Sequence, residues 1–521
     1  MTGGPPALML DYTIPERSGE ALIVPPLDRV PALLAESRAA VWDGADVLGV
    51  PLGEFRRRAR ARALARAAEY TGVPSPADTG PLVVMGHQPV LFHPGVWFKY
   101  LVLTKITSSA PATGLHVIVD TDATGPVGAD APDARDGLVR AHETLADLPA
   151  DVPLETVPPP GAAAWNAFCE RMRAHLATVS VPALRPRFEE WAGGAQDARD
   201  AASLGTWLAR LRRRYESRAG APGYLELPMS WAADTPEFRA FAVHLLRDPA
   251  ELVRAYNGQL SAYRTAHRLR SSANPFPDLA CDGGRVEAPF WVMRGGRRRE
   301  LRVSRADGRL ELTVGSETIG AIPADASGVE ALGELGVVLR PKAIALTMFA
   351  RLCLGDLFIH GVGGGRYDRV TDAIALDLFG RRPSPYLVAT ATLHLPLAGE
   401  AAGAERRALE ARLIDLRHNP DRHLAAATEA QRRLVDEKWD LIRAVSTMRR
   451  GPDRRAATRR IRAINESLAA DLAAEVADVE ARLAALSAAD REGAAESRDY
   501  PYFLFDPADV AALAGVPPPT A

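Results

Sequence analysis

The sequence predicts an α/β protein with a parallel-sheet core and a long helical hairpin toward its C-terminal end. Three observations carry this reading. First, the apolar runs Leu82-Val-Val-Met85 and Leu115 to Val119 flank a helical pattern from Val96 to Ile106. Strand, helix and strand in that order require parallel pairing, because a tight turn joins only antiparallel neighbours. Second, the order returns at Val337-Val-Leu339, a helix from Pro341 to about Leu354, and Asp356-Leu-Phe-Ile359. Third, Ile461, Ile464, Leu468, Leu472, Val476, Val479, Leu483 and Leu486 advance by threes and fours, the spacing of a coiled-coil seam.

A chain of 521 residues exceeds one ordinary core, so several structural units are expected. Hydrophobic residues at 47% and charged residues at 25% exclude wholesale disorder. A net charge of -2 gives no global reason to expect nucleic acid or an anionic membrane as partner; the local clusters Arg56 to Arg60 and Arg297 to Arg299 are weighed separately, the second as a solvated turn. Cys169, Cys281 and Cys353 fit neither a disulfide framework nor a CxxC zinc site, which points to a reducing compartment. With no leader-like start and no apolar run of about 18 residues, a soluble cytoplasmic protein is expected.

Residues 1–80 read as a helical preface, Pro-rich at first and helical from Val30 to Tyr70. Residues 81–395 form the core. Within it, about 125–220 read as a helical insertion crossing the sheet's edge, and about 285–325 as a small antiparallel meander turning at Asp307-Gly308. The last core strand is Tyr386 to Leu393. Residues 396–490 form the hairpin, its tip at Gly451-Pro452, where the helical text breaks. In the tail, 491–521, Arg498-Asp-Tyr-Pro-Tyr-Phe503 suits a strand or turn docked on the core.

Two strand ends carry the candidate chemistry. At the first, Gly86-His87-Gln88-Pro89 precedes Leu91-Phe-His93-Pro-Gly95 and Lys99. Free N–H groups at the helix start favour phosphate or carboxylate, and His87 either shuttles a proton, binds an anion or ties down the loop. At the second, His360 is followed by Gly361, Gly363, Gly364, Gly365, Arg366, Tyr367 and Asp368. This is not G-x-G-x-x-G, but glycines with two basic side chains suit a generic anion or nucleotide loop; a tight turn is the plainer alternative. Asp120 and Asp122 end the second strand, where they could hold an ammonium group or Mg²⁺ or, in the case of Asp120, cap a helix. Three other stretches, Tyr256-Asn257, Asn274-Pro-Phe-Pro-Asp278 and Glu287-Ala-Pro-Phe-Trp291, read as structured loops able to line a site. Other histidines, including His116, His142, His175 and His244, read as ordinary surface or packing residues. No GxSxG, HExxH, Walker A or kinase signature occurs.

Gly86, Gln88, Leu91, Phe92, Gly95 and Lys99 resemble the first motif of the bacillithiol biosynthesis cysteine-adding enzymes, an apolar strand followed by Gly-Gln-Gln, Gly-Leu-Phe and Gly-Pro before a Lys-bearing helix. Val119-Asp120-Thr121-Asp122 resembles that family's acidic motif, and Leu339-Arg340-Pro341 and His360 to Tyr367 resemble its later motifs in the same order. His87 stands where the family has Gln, Thr121 where it has His, and Arg366 near a Glu. The resemblance implies a Rossmann-like core of the nucleotidylyl transferase and class I synthetase type, a coiled-coil hairpin associated with homodimers, and joining of the cysteine carboxyl to the amine of glucosaminyl malate.

The expected function is therefore carbon–nitrogen ligation between an amino acid and a small amine. His87, Asp120, Asp122 and His360 are the expected catalytic residues, and Gly86, Gln88, His93, Lys99 and Gly361 to Asp368 the expected binding residues. ATP or ADP is the expected cofactor, with no metal ligand assigned. The alternatives are nucleotidylyl transfer to a small molecule and a non-catalytic dimeric scaffold.

Overall fold

The computed structural model describes residues 12–40, 42, 44–76, 80–271, 275–397, 400–424, 426–448 and 451–516. The ends of the Pro-rich lead-in and of the tail, and Asn274, lie outside the described residues.

The chain forms a mixed α/β structure around a six-stranded sheet, ordered Glu20–Val24, Tyr386–Thr392, Leu357–His360, Leu82–His87, Thr113–Ile118 and Leu225–Pro228. All neighbours pair in parallel except the first strand, which runs antiparallel along the edge. Both faces are covered, which is why these strands read as unbroken apolar runs. Val83, Met85, Leu357, Ile359, Leu387 and Ala389 pack on one face with the Pro94–Ser109 helix. Leu82, Val84, Leu115, Val117 and Phe358 pack on the other, against the Leu52–Thr71 helix. At about 1.5–3 kcal/mol for each fully buried large side chain, these two layers dominate stability.

The preface is not wholly helical. It supplies the Glu20–Val24 edge strand, and its helical text is split into Val30–Ala39 and Leu52–Thr71. Arg56 and Arg60, one helical turn apart, both face the core. Arg56 donates to the Leu352 and Gly355 carbonyls at the end of a π-helical turn, and both arginines pair with Asp356. Asp356 in turn accepts from Leu82 N at 2.8 Å. Part of this Arg cluster therefore anchors the start of the central strand.

The 125–220 insertion opens with a hairpin, Val127–Asp133 against Val139–Ala146, before the helices Ala162–Leu176, Leu184–Gly193 and Leu204–Glu216. Small residues at Gly128, Ala129 and Ala131 hid its alternation. The segment lies between two paired parallel strands and packs against Tyr500, Tyr502 and Phe503 of the tail, which forms a short 3₁₀ turn.

Val337 to Leu339 does not enter the main sheet. Leu339–Pro341 instead pairs antiparallel with Arg285–Arg294, at the border of a second sheet containing Arg297–Ala306, Arg309–Val314 and Glu317–Pro323. Its three residues are too few to cross the core, and the meander's edge offers unpaired backbone directly beside it.

Toward the C-terminal end, helices Glu400–His418 and Glu429–Thr447 run out, and Pro452–Ala469 and Ala473–Ala489 return. Leu416, Leu472 and Val479 fill the seam, while Arg482–Glu405 and Arg460–Glu437 pairs, both at 2.6 Å, bridge the arms. The pairs are exposed, so the seam contributes more than they do.

Helix Val362–Phe379 crosses the sheet closely enough that a Cβ at Gly365 would lie 2.2 Å from a Val388 methyl. Gly365→Ala is expected to cost about 1–3 kcal/mol in denaturant unfolding, with Val388→Ala in the same chain recovering part of the loss.

Candidate functional site

The strands Leu82–His87 and Leu357–His360 lie side by side. From the first the chain crosses to Thr113–Ile118 on one side, and from the second to Tyr386–Thr392 on the other. Such a divergence leaves a crevice at the carboxyl ends of the two strands. A cavity of about 410 Å³ occupies it, with Gly86, His87, Gln88, Phe358 and His360 in its floor. The second sheet and its neighbours close the roof with Glu287, Trp291, Arg298 and Lys342.

His87 Nδ1 lies 2.9 Å from the Gln88 carbonyl oxygen, which can only accept, so Nδ1 carries the proton. Burial, and then the nearby Lys99, hold this imidazole well below its ordinary pKa. His87 is therefore neutral, with the Nε2 lone pair free to accept a proton. Gln88 donates to Asp122 at 2.9 Å, and Arg298 reaches the same carboxylate at 2.7 Å. Asp122 lines the cavity but is occupied as a clasp between floor and roof.

Asp120 does not line the cavity. It is buried and accepts from Ser230 N at 2.9 Å and Ser230 Oγ at 2.5 Å, at the start of the Met229–Ala233 helix. Burial, and then Glu155, push its carboxyl up to about 7. The two aspartates thus have separate partners, and among the described residues no cluster of three or more His, Cys, Asp and Glu side chains is placed to hold a metal ion.

His360 is oriented from behind. Its Nε2 lies 2.6 Å from Asp368, which pairs with the buried Arg351 at 2.5 Å. Arg351 holds the Asp368 carboxyl far below the usual range, so Asp368 accepts, Nε2 carries the proton and Nδ1 keeps the lone pair. Burial lowers the His360 pKa, and Asp368 opposes that effect.

The glycine run is not a loop. Gly361 precedes the Val362–Phe379 helix, and Gly363, Gly364 and Gly365 lie in its first turn. They serve close packing: a Cβ at Gly364 would stand 2.5 Å from His360 Nδ1. The helix start has no side-chain cap and no acidic residue, which leaves its N–H groups open to an anion.

Arg366 points away from the cavity and donates to the Tyr12 carbonyl at 2.7 Å. Tyr367 packs edge-on against Phe276, itself a cavity residue. His93 caps the Pro94–Ser109 helix, accepting from Gly95 N at 3.1 Å, so its role is local. Lys99 lies beneath the floor, its Nζ 3.5 Å from the Gly86 carbonyl and its side chain beside Gly361. It has no carboxylate partner among the described residues, and burial lowers its pKa to about 7.

The roof holds the residues that sequence reasoning underrated. In the strand Arg297–Ala306, alternation sends Arg297 and Arg299 to Asp151 and Arg298 to the cavity. Arg298 and Lys342 both lie over the Trp291 ring, at 4.9 and 4.4 Å from its centroid, and Lys342 also pairs with Glu287. The period-2 spacing of the strand was the available signal, but nothing local indicated which face would meet the Leu82 strand.

No protein-family profile matches the chain, and no curated protein matches it. Among the described residues, no helix is long and apolar enough to cross a membrane.

Lys99 gives a signed pH prediction. Its pKa falls from 10.5 toward 7 on folding, so between those values the unfolded chain holds the extra proton. The lysine's cost is absent above pH 10.5 and grows as pH falls to 7. Lys99→Met should therefore be more stable than wild type near neutrality, with the gap in denaturation midpoint closing as pH rises.

Proposed function

We propose that this chain is a carbon–nitrogen ligase that joins an amino-acid carboxyl, cysteine in the first instance, to a small amine such as glucosaminyl malate. The observation that carries the reading is the meeting of His87 and His360 in one cavity beneath Arg298 and Lys342. The parallel strands, in the order 3-2-1-4-5 along the chain, support a Rossmann-like assignment to the nucleotidylyl transferase and class I synthetase type.

In this reading Arg298 and Lys342 hold carboxylate or phosphate oxygens. Glu287, beside Lys342, attracts the amine. The amine nitrogen forms its bond to the carboxyl carbon as the activated oxygen leaves with its electron pair, and the proton released passes to His87 Nε2. Asp368 fixes the His360 ring in the cavity floor, where the ring bounds the space for the acceptor substrate. Asp120 and Asp122, bound elsewhere, are positioning residues in this scheme. A nucleoside triphosphate, when bound, supplies activation of the carboxyl; the cationic roof of Arg298 and Lys342 fits its anionic groups. A neutral His87 suits proton removal better than a charge contact with a leaving phosphate, which favours ligation over nucleotidylyl transfer.

We assign the helical hairpin to a coiled coil that pairs two copies of the chain. Ile414 and Trp439, 60% and 40% exposed on its helices, supply apolar surface for that contact. Trp439→Asp should halve the mass seen by light scattering while leaving the far-ultraviolet spectrum unchanged.

The test of activity is product formation from cysteine, glucosaminyl malate and ATP, followed by mass spectrometry. His87→Ala should slow the amide-forming step by about 10²–10⁴-fold. Absence of product, together with absence of saturable binding of all three compounds in calorimetry, would reject the assignment.

A further inference from the structure

A second cavity, of about 560 Å³, lies at the start of the Tyr386–Thr392 strand and the end of its antiparallel neighbour Glu20–Val24. Tyr386 and the preceding Ser384 and Pro385 form one wall, and Val24, Pro25 and the helix Val30–Ala39 another. Trp42, Pro25 and Pro383 give it flat apolar surfaces.

Its polar groups are distinctive in two respects. Ser37 is 5% exposed, lines the cavity, and its hydroxyl has no hydrogen-bond partner. A buried hydroxyl left unpaired costs about 1–3 kcal/mol, which a ligand accepting from it would recover. Arg382 lines the same space, is exposed, and forms no ion pair among the described residues. Of the acidic neighbours, Glu36 is exposed to solvent, and Asp372 is already met by Arg351 at 2.7 Å. Arg351, Arg369 and Arg382 against Glu36 and Asp372 leave the lining with an excess of positive charge, and the unpaired Ser37 hydroxyl lines the same space.

Arg351 also joins this cavity to the first. It lies between Asp372, in the wall of the second cavity, and Asp368, which holds His360 in the floor of the first. One guanidinium shared by two carboxylates divides its interaction between them, so a change in charge beside Asp372 alters what remains for Asp368. Besides Asp368, the charged groups facing His360 are Arg351 and Lys99.

We propose that the second cavity binds a small organic anion, a carboxylate on a flat apolar body, through Arg382, Ser37 and the Trp42 and proline surfaces, and that Arg351 transmits its occupancy to His360.

The experiment uses the full chain labelled with 5-fluorotryptophan, since Trp42 lines the second cavity and Trp291 the first. Trp42→Phe and Trp291→Phe assign the two fluorine resonances. Benzoate should move the Trp42 resonance saturably, whereas benzylamine, with the same ring and opposite charge, should not. Arg382→Gln should raise the half-saturating benzoate concentration about tenfold or more, and Ser37→Ala should raise it severalfold. An unmoved Trp42 resonance, saturation by benzylamine, or unchanged benzoate binding in Arg382→Gln would overturn the site. For the linkage, benzoate should shift the titration midpoint of ¹⁵N-labelled His360 in the wild type and not in Asp372→Asn. Binding with an unmoved His360 would overturn the coupling. Neither readout uses turnover, so the result stands apart from the ligase assignment.

Discussion

The molecule depends on one long-range pairing, that of Leu82–His87 with Leu357–His360 in parallel register. These strands are brought together across most of the chain, a costly closure that only burial on both faces of the sheet offsets. Because the connections diverge from this pair, the crevice above it is a necessary consequence of the topology. Leu52–Thr71 and Pro94–Ser109 cover the sheet, and the second sheet roofs the crevice.

Electrostatics follow the same division. Charges that anchor the fold are paired inside it: Arg56 and Arg60 with Asp356, and Arg212 with Glu216 and Glu226 beside His116. Groups at the crevice are left with unused capacity. Among the described residues, His87 keeps a lone pair and Lys99, just beneath the floor, has only a 3.5 Å contact with a carbonyl. Unused hydrogen-bonding capacity in a low-dielectric space is costly to an empty site and valuable to an occupied one.

The parallel core and the two strand ends were legible because buried strands write continuous apolar runs and strand ends write glycine and polar residues. Val337 to Leu339 was misplaced because an apolar triplet fits either sheet, and only its neighbour's unpaired edge decides. The glycines after His360 suggested a loop, whereas their lack of side chains serves a helix lying tightly on Val388 and His360. The equivalence of Asp120 and Asp122 in sequence gave no hint that Ser230 would claim the first and Arg298 the second. Those partners come from distant segments, so their identity is a property of packing rather than of local text.

The hairpin leaves and rejoins the core at adjacent points, as the Arg406–Asp490 contact at 3.4 Å marks. A protrusion with a narrow base is nearly independent of what lies beneath it. Evolution can lengthen or trim such an arm by whole turns, or alter its outer surface, without displacing an atom of the crevice. The arm and the crevice can therefore diversify at different rates within one polypeptide.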